Sequence, residues 1–163
     1  MFSHTTGKYK GPPIRRNIIK DVTPVIQPRR RIPLHNIDRI EVELEKMLKE
    51  DIIEGPLDQE EPGTFISNLV ITDKRDTDQI RVTLDCQSVN KFILPTHEPI
   101  PTSGELRHML LGSDRFSKLD MTNCYYQFEI EESARKLYAF RTPWGIYRYK
   151  RMVMGTSPAS SEV

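Results

Sequence analysis

Phe116-Ser117-Lys118-Leu119-Asp120-Met121-Thr122-Asn123-Cys124-Tyr125-Tyr126 is the stretch on which the reading of this chain turns. Residues 115–120 read as a short apolar strand that Asp120 closes. A carboxylate at the end of a buried strand is costly unless something positive meets it, and this marks Asp120 as half of a metal site. A polar turn follows. Tyr126, Phe128 and Ile130 then alternate with Gln127 and Glu129, the period of a second strand. Asp120 is the last aspartate in the sequence, so these residues offer one half of a metal site and no later aspartate to complete it.

Outward from that stretch the elements are grouped rather than regularly alternating, which reads as an α+β fold. Ile37, Ile40, Leu44, Met47 and Leu48 form a helical stripe behind Asn36 as N-cap, and Gly55-Pro56 ends the element after Ile52-Ile53. Residues 57–63 read as a loop. Strand 68–72 and the alternating run from Ile80 to Cys86 flank a polar tip at 73–79, the pattern of an antiparallel hairpin. Pro95, Pro99 and Pro101 keep the next stretch extended. Thr102 and Glu105 form a capping box for a short helix through Leu106, Met109 and Leu110. Glu131 to Lys136 reads as one helical turn. Residues 138–142 and 146–152 flank Pro143-Trp144-Gly145 as a second hairpin.

Charge is unevenly divided. Residues 1–31 carry eight lysines and arginines against Asp21 alone, a net +7, and the remainder is net −6. The sequence divides into a basic, proline-containing flexible arm over 1–31 and a body over 32–163, with order expected from about Pro33. A basic arm suggests an anionic partner, although an exposed linker has the same composition. Hydrophobic residues make up 37% and charged residues 29%, and no apolar run reaches membrane-spanning length, so a soluble chain without a membrane partner is expected. Cys86 and Cys124 lie far apart, consistent with an intracellular, reducing compartment and two buried small side chains. Residues 1–10 contain no secretory signal pattern. His4, His35, His97 and His108 have no metal-ligand spacing. No glycine-rich phosphate loop or Ser-His-Asp arrangement supports other nucleotide enzymes or hydrolases.

Arg81-Val-Thr-Leu-Asp85-Cys-Gln-Ser-Val-Asn90-Lys91, Pro99-Ile-Pro101, Phe116-Ser-Lys-Leu-Asp120, Tyr125-Tyr-Gln and Tyr147-Arg-Tyr-Lys-Arg-Met152 occur in one order. The ordered set resembles the reverse transcriptase of gypsy-type long-terminal-repeat retrotransposons, over about residues 30–163. The resemblance implies a right-hand polymerase, an RNA-directed DNA polymerase. This chain would supply the fingers and part of the palm, an antiparallel sheet with packed helices. It implies Asp120 as first catalytic carboxylate, bridging two magnesium ions, with the Met121 backbone carbonyl on the ion that accompanies the nucleotide. It implies Lys74 and Arg81 as the pair gripping the incoming deoxynucleoside triphosphate. Tyr125 would be the gate against a ribose 2′-hydroxyl, and Gly155 part of the nucleotide pocket. Asp85 and Asn90 would brace the fingers and the template. The implied partners are an RNA or DNA template–primer and deoxynucleoside triphosphates; oligomeric state is left open.

The sequence also departs from that pattern. The Tyr-x-Asp-Asp hairpin carrying the other carboxylates is not among these residues, so the chain by itself is expected to be inactive. The strand of Asp120 is expected to leave an open sheet edge. Pro158 is out of place relative to the family's pattern, which leaves 156–163 unaligned. The alternative is a non-catalytic relic of a mobile element or a template-binding module.

Overall fold

The computed structural model describes residues 6–57, 61–74, 77, 79–94 and 101–156. Parts of several expectations lie outside these residues: the hairpin tip at 75, 76 and 78, Pro95 and Pro99, His4 and His97, and Pro158 with the rest of 157–163.

Helix α1 (Ile37–Lys49) follows a 3-10 turn at Leu34–Asn36 and buries Ile40, Leu44 and Met47, one stripe at helical spacing. Asn36 precedes it, but its side chain caps no backbone group; Oδ1 accepts from Arg39 Nη1 at 3.1 Å instead. The helix stops earlier than Gly55-Pro56. Asp51 adopts a left-handed conformation (φ 58°), its N–H donates to Leu48 O, and the Ile52 N–H donates to Met47 O. This Schellman arrangement turns the chain sharply and sends Ile52 and Ile53 into the core.

After that turn, β1 (Ile53–Glu54) pairs with β6 (Gly145–Tyr149), which pairs with β5 (Ala139–Thr142), and β5 pairs with β2 (Ile66–Ser67). The first two pairings are antiparallel. The last is parallel, with Ile66 opposite Ala139, so the sheet is mixed rather than purely antiparallel as expected. Strands β3 (Leu69–Asp73) and β4 (Ile80–Leu84) form the expected hairpin as a separate two-stranded sheet. Short helices α2 (Gln87–Asn90) and α4 (Glu132–Arg135) complete the body. Phe140, Tyr147 and Tyr149 pack ring against ring in the core, with centroids 5.4–5.9 Å apart. The second hairpin forms around Pro143-Trp144, where Thr142 Oγ1 donates to Gly145 O at 2.9 Å.

Two regions differ from the sequence reading. Residues 6–32 run as an extended strap paired to the body well before Pro33. Ile14 N–H donates to Glu129 O, Ile19 N–H to Phe92 O and Gln27 N–H to Ile66 O, at 2.8–3.0 Å. Residues 101–123 are exposed throughout. Helix α3 (Ser103–Leu110) has the expected capping box, both bonds present, but buries no residue. The strand expected at 115–120 does not form. Phe116 and Leu119 face solvent, and Asp120 closes no buried strand and borders no sheet edge among the described residues. A strand needs a neighbour for its backbone, and the described residues offer this segment none. The strand expected from Tyr126 to Ile130 is also absent; only single bridges form there, Glu129 to Arg151 and Ile130 to Ile14. Among the described residues no helix is long and apolar enough to cross a membrane.

The α1–β1 turn is tied down by Asp51. Its carboxylate accepts from Lys150 Nζ and from Arg151 Nη2, and its carbonyl accepts from Arg151 Nε at 3.0 Å. Burial pushes the Asp51 pKa up, but the hydrogen bond and charge of Lys150, with Arg151, outweigh it and hold the carboxyl below its ordinary value. A carboxyl depressed in the folded state stabilises above its unfolded pKa, and the gain is lost as pH falls through the lower folded value. Asp51→Asn keeps a residue tolerant of the left-handed conformation and removes the charge. The expected loss near neutral pH is up to about 1 kcal/mol, as for exposed ion pairs. Denaturant titrations from neutral pH downward check it: the gap between the two proteins should close once pH passes below the carboxylate range.

Candidate active site

The β3–β4 hairpin presents two faces. Ile80, Val82 and Leu84 are buried, and opposite them stand Asp73, Ile71 and Leu69. The other face carries Arg81, opposite Thr72, and the ladder runs on one step, where Lys74 N–H donates to Gln79 O at 2.9 Å. Residues two apart on a strand share a face, so Lys74 and Arg81 share this outer face as diagonal cross-strand neighbours. Lys74 Nζ donates to Gln79 Oε1 at 3.2 Å, and neither cation makes an ion pair among the described residues. The two sequence candidates are thus brought together, with donors to offer an anion.

Asp85 lies at the foot of the hairpin with its side chain 9% exposed, and Arg30 of the strap reaches its Oδ2 at 3.0 Å. Gln27 of the strap ties the same corner. Its Nε2 donates to Ser88 Oγ at 3.0 Å, and its Oε1 accepts from the Asn68 N–H at 2.9 Å. Asp85 therefore braces strap against hairpin. Asn90, at the end of α2, donates from Nδ2 to Gly155 O at 2.9 Å, which brings a second pair of candidates together. Gly155 has φ +86°, a conformation glycine adopts without strain. Next to them, Cys86 is buried and its thiol is pushed up to about 12, chiefly by burial.

Asp120 and Met121 lie on the exposed segment; Met121 Sδ is 3.9 Å from Cys124 Sγ. Among the described residues no three histidine, cysteine or acidic side chains gather into a metal cluster. The turn after Asp120 is held by the strap. Asn123 is left-handed (φ 50°) and donates from Nδ2 to Thr6 Oγ1 at 3.0 Å. Tyr9 N–H donates to Gln127 O at 2.7 Å, and its ring lies 5.0 Å from that of Phe128. Lys8 bonds Glu129 at 2.6 Å and, more than any other group, holds that carboxyl below its ordinary value. Tyr125 sits half-buried in the 3-10 turn Cys124–Gln127. Tyr126 stacks on Tyr149. Burial pushes the Tyr126 hydroxyl up, and its hydrogen bond with Tyr149 acts against that shift.

The structure thus joins Lys74 with Arg81 and Asn90 with Gly155. It does not bring Asp120 or Met121 into described contact with any of them. Sequence reasoning missed Arg30, Gln27, Thr6 and Tyr9. Arg30 stands in a run of three arginines, and no local pattern separates it from Arg29 and Arg31.

No family model matches the chain. It is 30% identical over 142 residues to an uncharacterized protein of Caenorhabditis elegans, covering 86% of this chain and 11% of that protein. It is 26% identical over 137 residues to the retrovirus-related Pol polyprotein from transposon 412 of Drosophila melanogaster, covering 84% of this chain and 11% of the polyprotein. The chain spans about a tenth of the length of these relatives. Its fold matches part of the prototype foamy virus protease-reverse transcriptase with a TM-score of 0.78 at 21% identity, covering 97% of this chain and 20% of that one. Its homologues thus include retroelement Pol polyproteins, and its mixed α+β fold is one found in a retroviral protease-reverse transcriptase.

Two outcomes follow from the geometry. Arg30→Ala leaves the Asp85 carboxylate without its cation and is expected to cost about 1–3 kcal/mol, the range for a buried acceptor left without its partner; urea titration measures it. Alkylation of the native protein is expected to label Cys124 readily and Cys86 only after unfolding, read by mass spectrometry of the digested chain.

Proposed function

We propose that these residues are the fingers and the first part of the palm of a gypsy-type RNA-directed DNA polymerase. The observation that carries this reading is the outer face of the β3–β4 hairpin that Lys74 and Arg81 share. Two cations on one hairpin face, neither in an ion pair among the described residues, are suited to the oxygens of a triphosphate, and guanidinium adds bidentate geometry. The ring of Tyr125, on a turn that the strap ties at Asn123 and Gln127, supplies bulk beside the sugar and favours a deoxynucleotide. Asn90 fixes the carbonyl of Gly155, which keeps that segment close to the foot of the fingers. Asp85 and Arg30 keep the hairpin from swinging away from the strap.

The donor chemistry at Asp120 fits magnesium, in part. Its carboxylate is exposed, with no ion pair among the described residues, and a neighbouring backbone carbonyl at Met121 is a second hard oxygen. Magnesium is commonly held by one or two carboxylates together with substrate phosphates. When bound, the ions neutralise the triphosphate and activate the primer hydroxyl. A complete site needs further carboxylates than Asp120 provides. The partners in this reading are an RNA or DNA template–primer and deoxynucleoside triphosphates.

Binding of a fluorescent deoxynucleoside triphosphate, with and without magnesium, tests the reading on the chain itself. Lys74→Ala and Arg81→Ala are each expected to weaken binding about tenfold, the effect of removing one charge-assisted hydrogen bond. Asp120→Asn is expected to remove the gain in affinity that magnesium brings. Unchanged affinity in the first two variants would remove the triphosphate role. Primer extension on an RNA template is expected to stay at the level of an Asp120→Ala control. Incorporation above that control would show that Asp120 needs no companions beyond these residues.

A further inference from the structure

The Tyr125 side chain has no hydrogen bond or ring contact of its own among the described residues, so its place is set by the turn that carries it. That turn, Cys124–Gln127, is short. It closes on itself by Tyr126 N–H to Asn123 O at 2.9 Å and Phe128 N–H to Tyr125 O at 3.2 Å, and Gln127 Nε2 donates to Thr122 O at 3.0 Å. A single helical turn held by local bonds is marginal in water. Two fastenings from the strap supply the rest. Asn123 enters the turn left-handed, and its side chain caps no backbone group there. It donates to Thr6 Oγ1, and Thr6 Oγ1 in turn donates to Glu50 Oε2 at 3.3 Å, just beyond the end of α1. A hydroxyl gives one bond while it accepts another, so Thr6 links α1 to the entry of the turn. At the exit, Tyr9 holds the Gln127 carbonyl with its N–H and the Phe128 ring with its own.

We propose that the strap sets the sugar selectivity of Tyr125, with Thr6 and Tyr9 as positioning residues. The inference rests on the reading of Tyr125 as the gate and adds the part of the chain that keeps the gate still. A hydroxyl is small, and a ring free to withdraw by about 1 Å no longer excludes it; selectivity needs a supported ring as well as a bulky one. The consequence is asymmetric. A loosened turn admits a ribonucleotide more readily. A deoxynucleotide makes no demand on that space and binds as before. Loss of folding stability alone weakens both together.

Competition of dATP and ATP against a base-labelled fluorescent deoxynucleoside triphosphate, on the full chain with magnesium, measures the deoxy-over-ribo preference. Thr6→Val keeps the shape and removes the hydroxyl. It is expected to lower the preference about threefold to tenfold, the worth of one hydrogen bond, with dATP affinity changed less than about twofold. Thr6→Ser keeps the hydroxyl and is expected to restore the preference. Tyr9→Ala is expected to act like Thr6→Val, and Tyr9→Phe, which keeps the ring, to act like the unaltered chain. Lys10, on the same strap, makes no hydrogen bond or ion pair among the described residues, and Lys10→Ala is expected to change nothing. Hydrogen exchange needs no nucleotide: in Thr6→Val the amides of Tyr126 and Phe128 are expected to exchange about threefold to tenfold faster. Equal loss of dATP and ATP affinity in Thr6→Val, an unchanged preference there, or unchanged exchange at Tyr126 and Phe128 each overturns the positioning role. Tyr125→Ala separates the two readings, because it is expected to abolish the preference. A preference that survives Tyr125→Ala removes the gate and the inference with it. A preference lost in Tyr125→Ala but kept in Thr6→Val and Tyr9→Ala removes the strap's part alone.

Discussion

A carboxylate buried at the foot of the β3–β4 hairpin has to be met by positive charge, and this chain meets it by drawing its basic N-terminal strap across the body. Asp85 sits where β4 ends and α2 begins, too enclosed to be left to water. Arg30 supplies the cation, and Gln27 joins Asn68 and Ser88 in the same corner. Once the strap is held there, its earlier residues are carried past Ile93 and Ile130 to the turn that follows Asp120. The crossing adds to the packing of Ile80, Val82 and Leu84 in the shared core, which a two-stranded hairpin needs because two strands alone are marginal in water.

Asp120 shows the opposite condition. It lies on a segment whose apolar side chains, Phe116, Leu119 and Met121, are all exposed, next to a helix that buries nothing. Helix α3 forms because its capping box is local: Thr102 and Glu105 satisfy each other's backbone N–H groups within one turn. A strand has no such self-sufficiency. The alternation of Ile80, Val82 and Leu84 forms β4 because β3 lies beside it; residues 115–120, with Phe116 and Leu119 three apart, have no described strand beside them and stay irregular.

This difference also sets what can be read from the sequence. The stripe of α1, the alternation of Ile80, Val82 and Leu84, the capping box and the turn at Pro143-Trp144 are encoded within a few residues and are legible. The stop of α1 at Lys49 is not, because Asp51 in place of glycine disguises the turn. The strap is legible as extended and basic but not as paired. Its partners, Glu129, Phe92 and Ile66, lie far along the chain and leave no mark on the local pattern. Lys74 and Arg81 can be placed on one face from strand periodicity. The bond from Asn90 to Gly155 spans 65 residues and needs the fold.

The charge division acquires a different meaning in the folded chain. Taken as sequence, a net +7 over residues 1–31 suggests a tail that grips any polyanion. In the structure much of that charge is answered internally, by Lys8 with Glu129, Arg15 with Glu131 and Arg30 with Asp85, while Arg16 donates to the Tyr138 hydroxyl. Each of these bonds serves to hold the strap. What is left for an outside anion is a smaller set, and Arg29 and Arg31 stand on either side of the arginine already committed to Asp85. Their position follows from that bond: with Arg30 fixed toward the hairpin foot, its two neighbours are held at a defined place on the surface instead of sweeping solvent. A cation held in place gives up less conformational freedom on meeting a phosphate than one on a free tail. The internal ion pair therefore raises the selectivity of the charges it leaves behind.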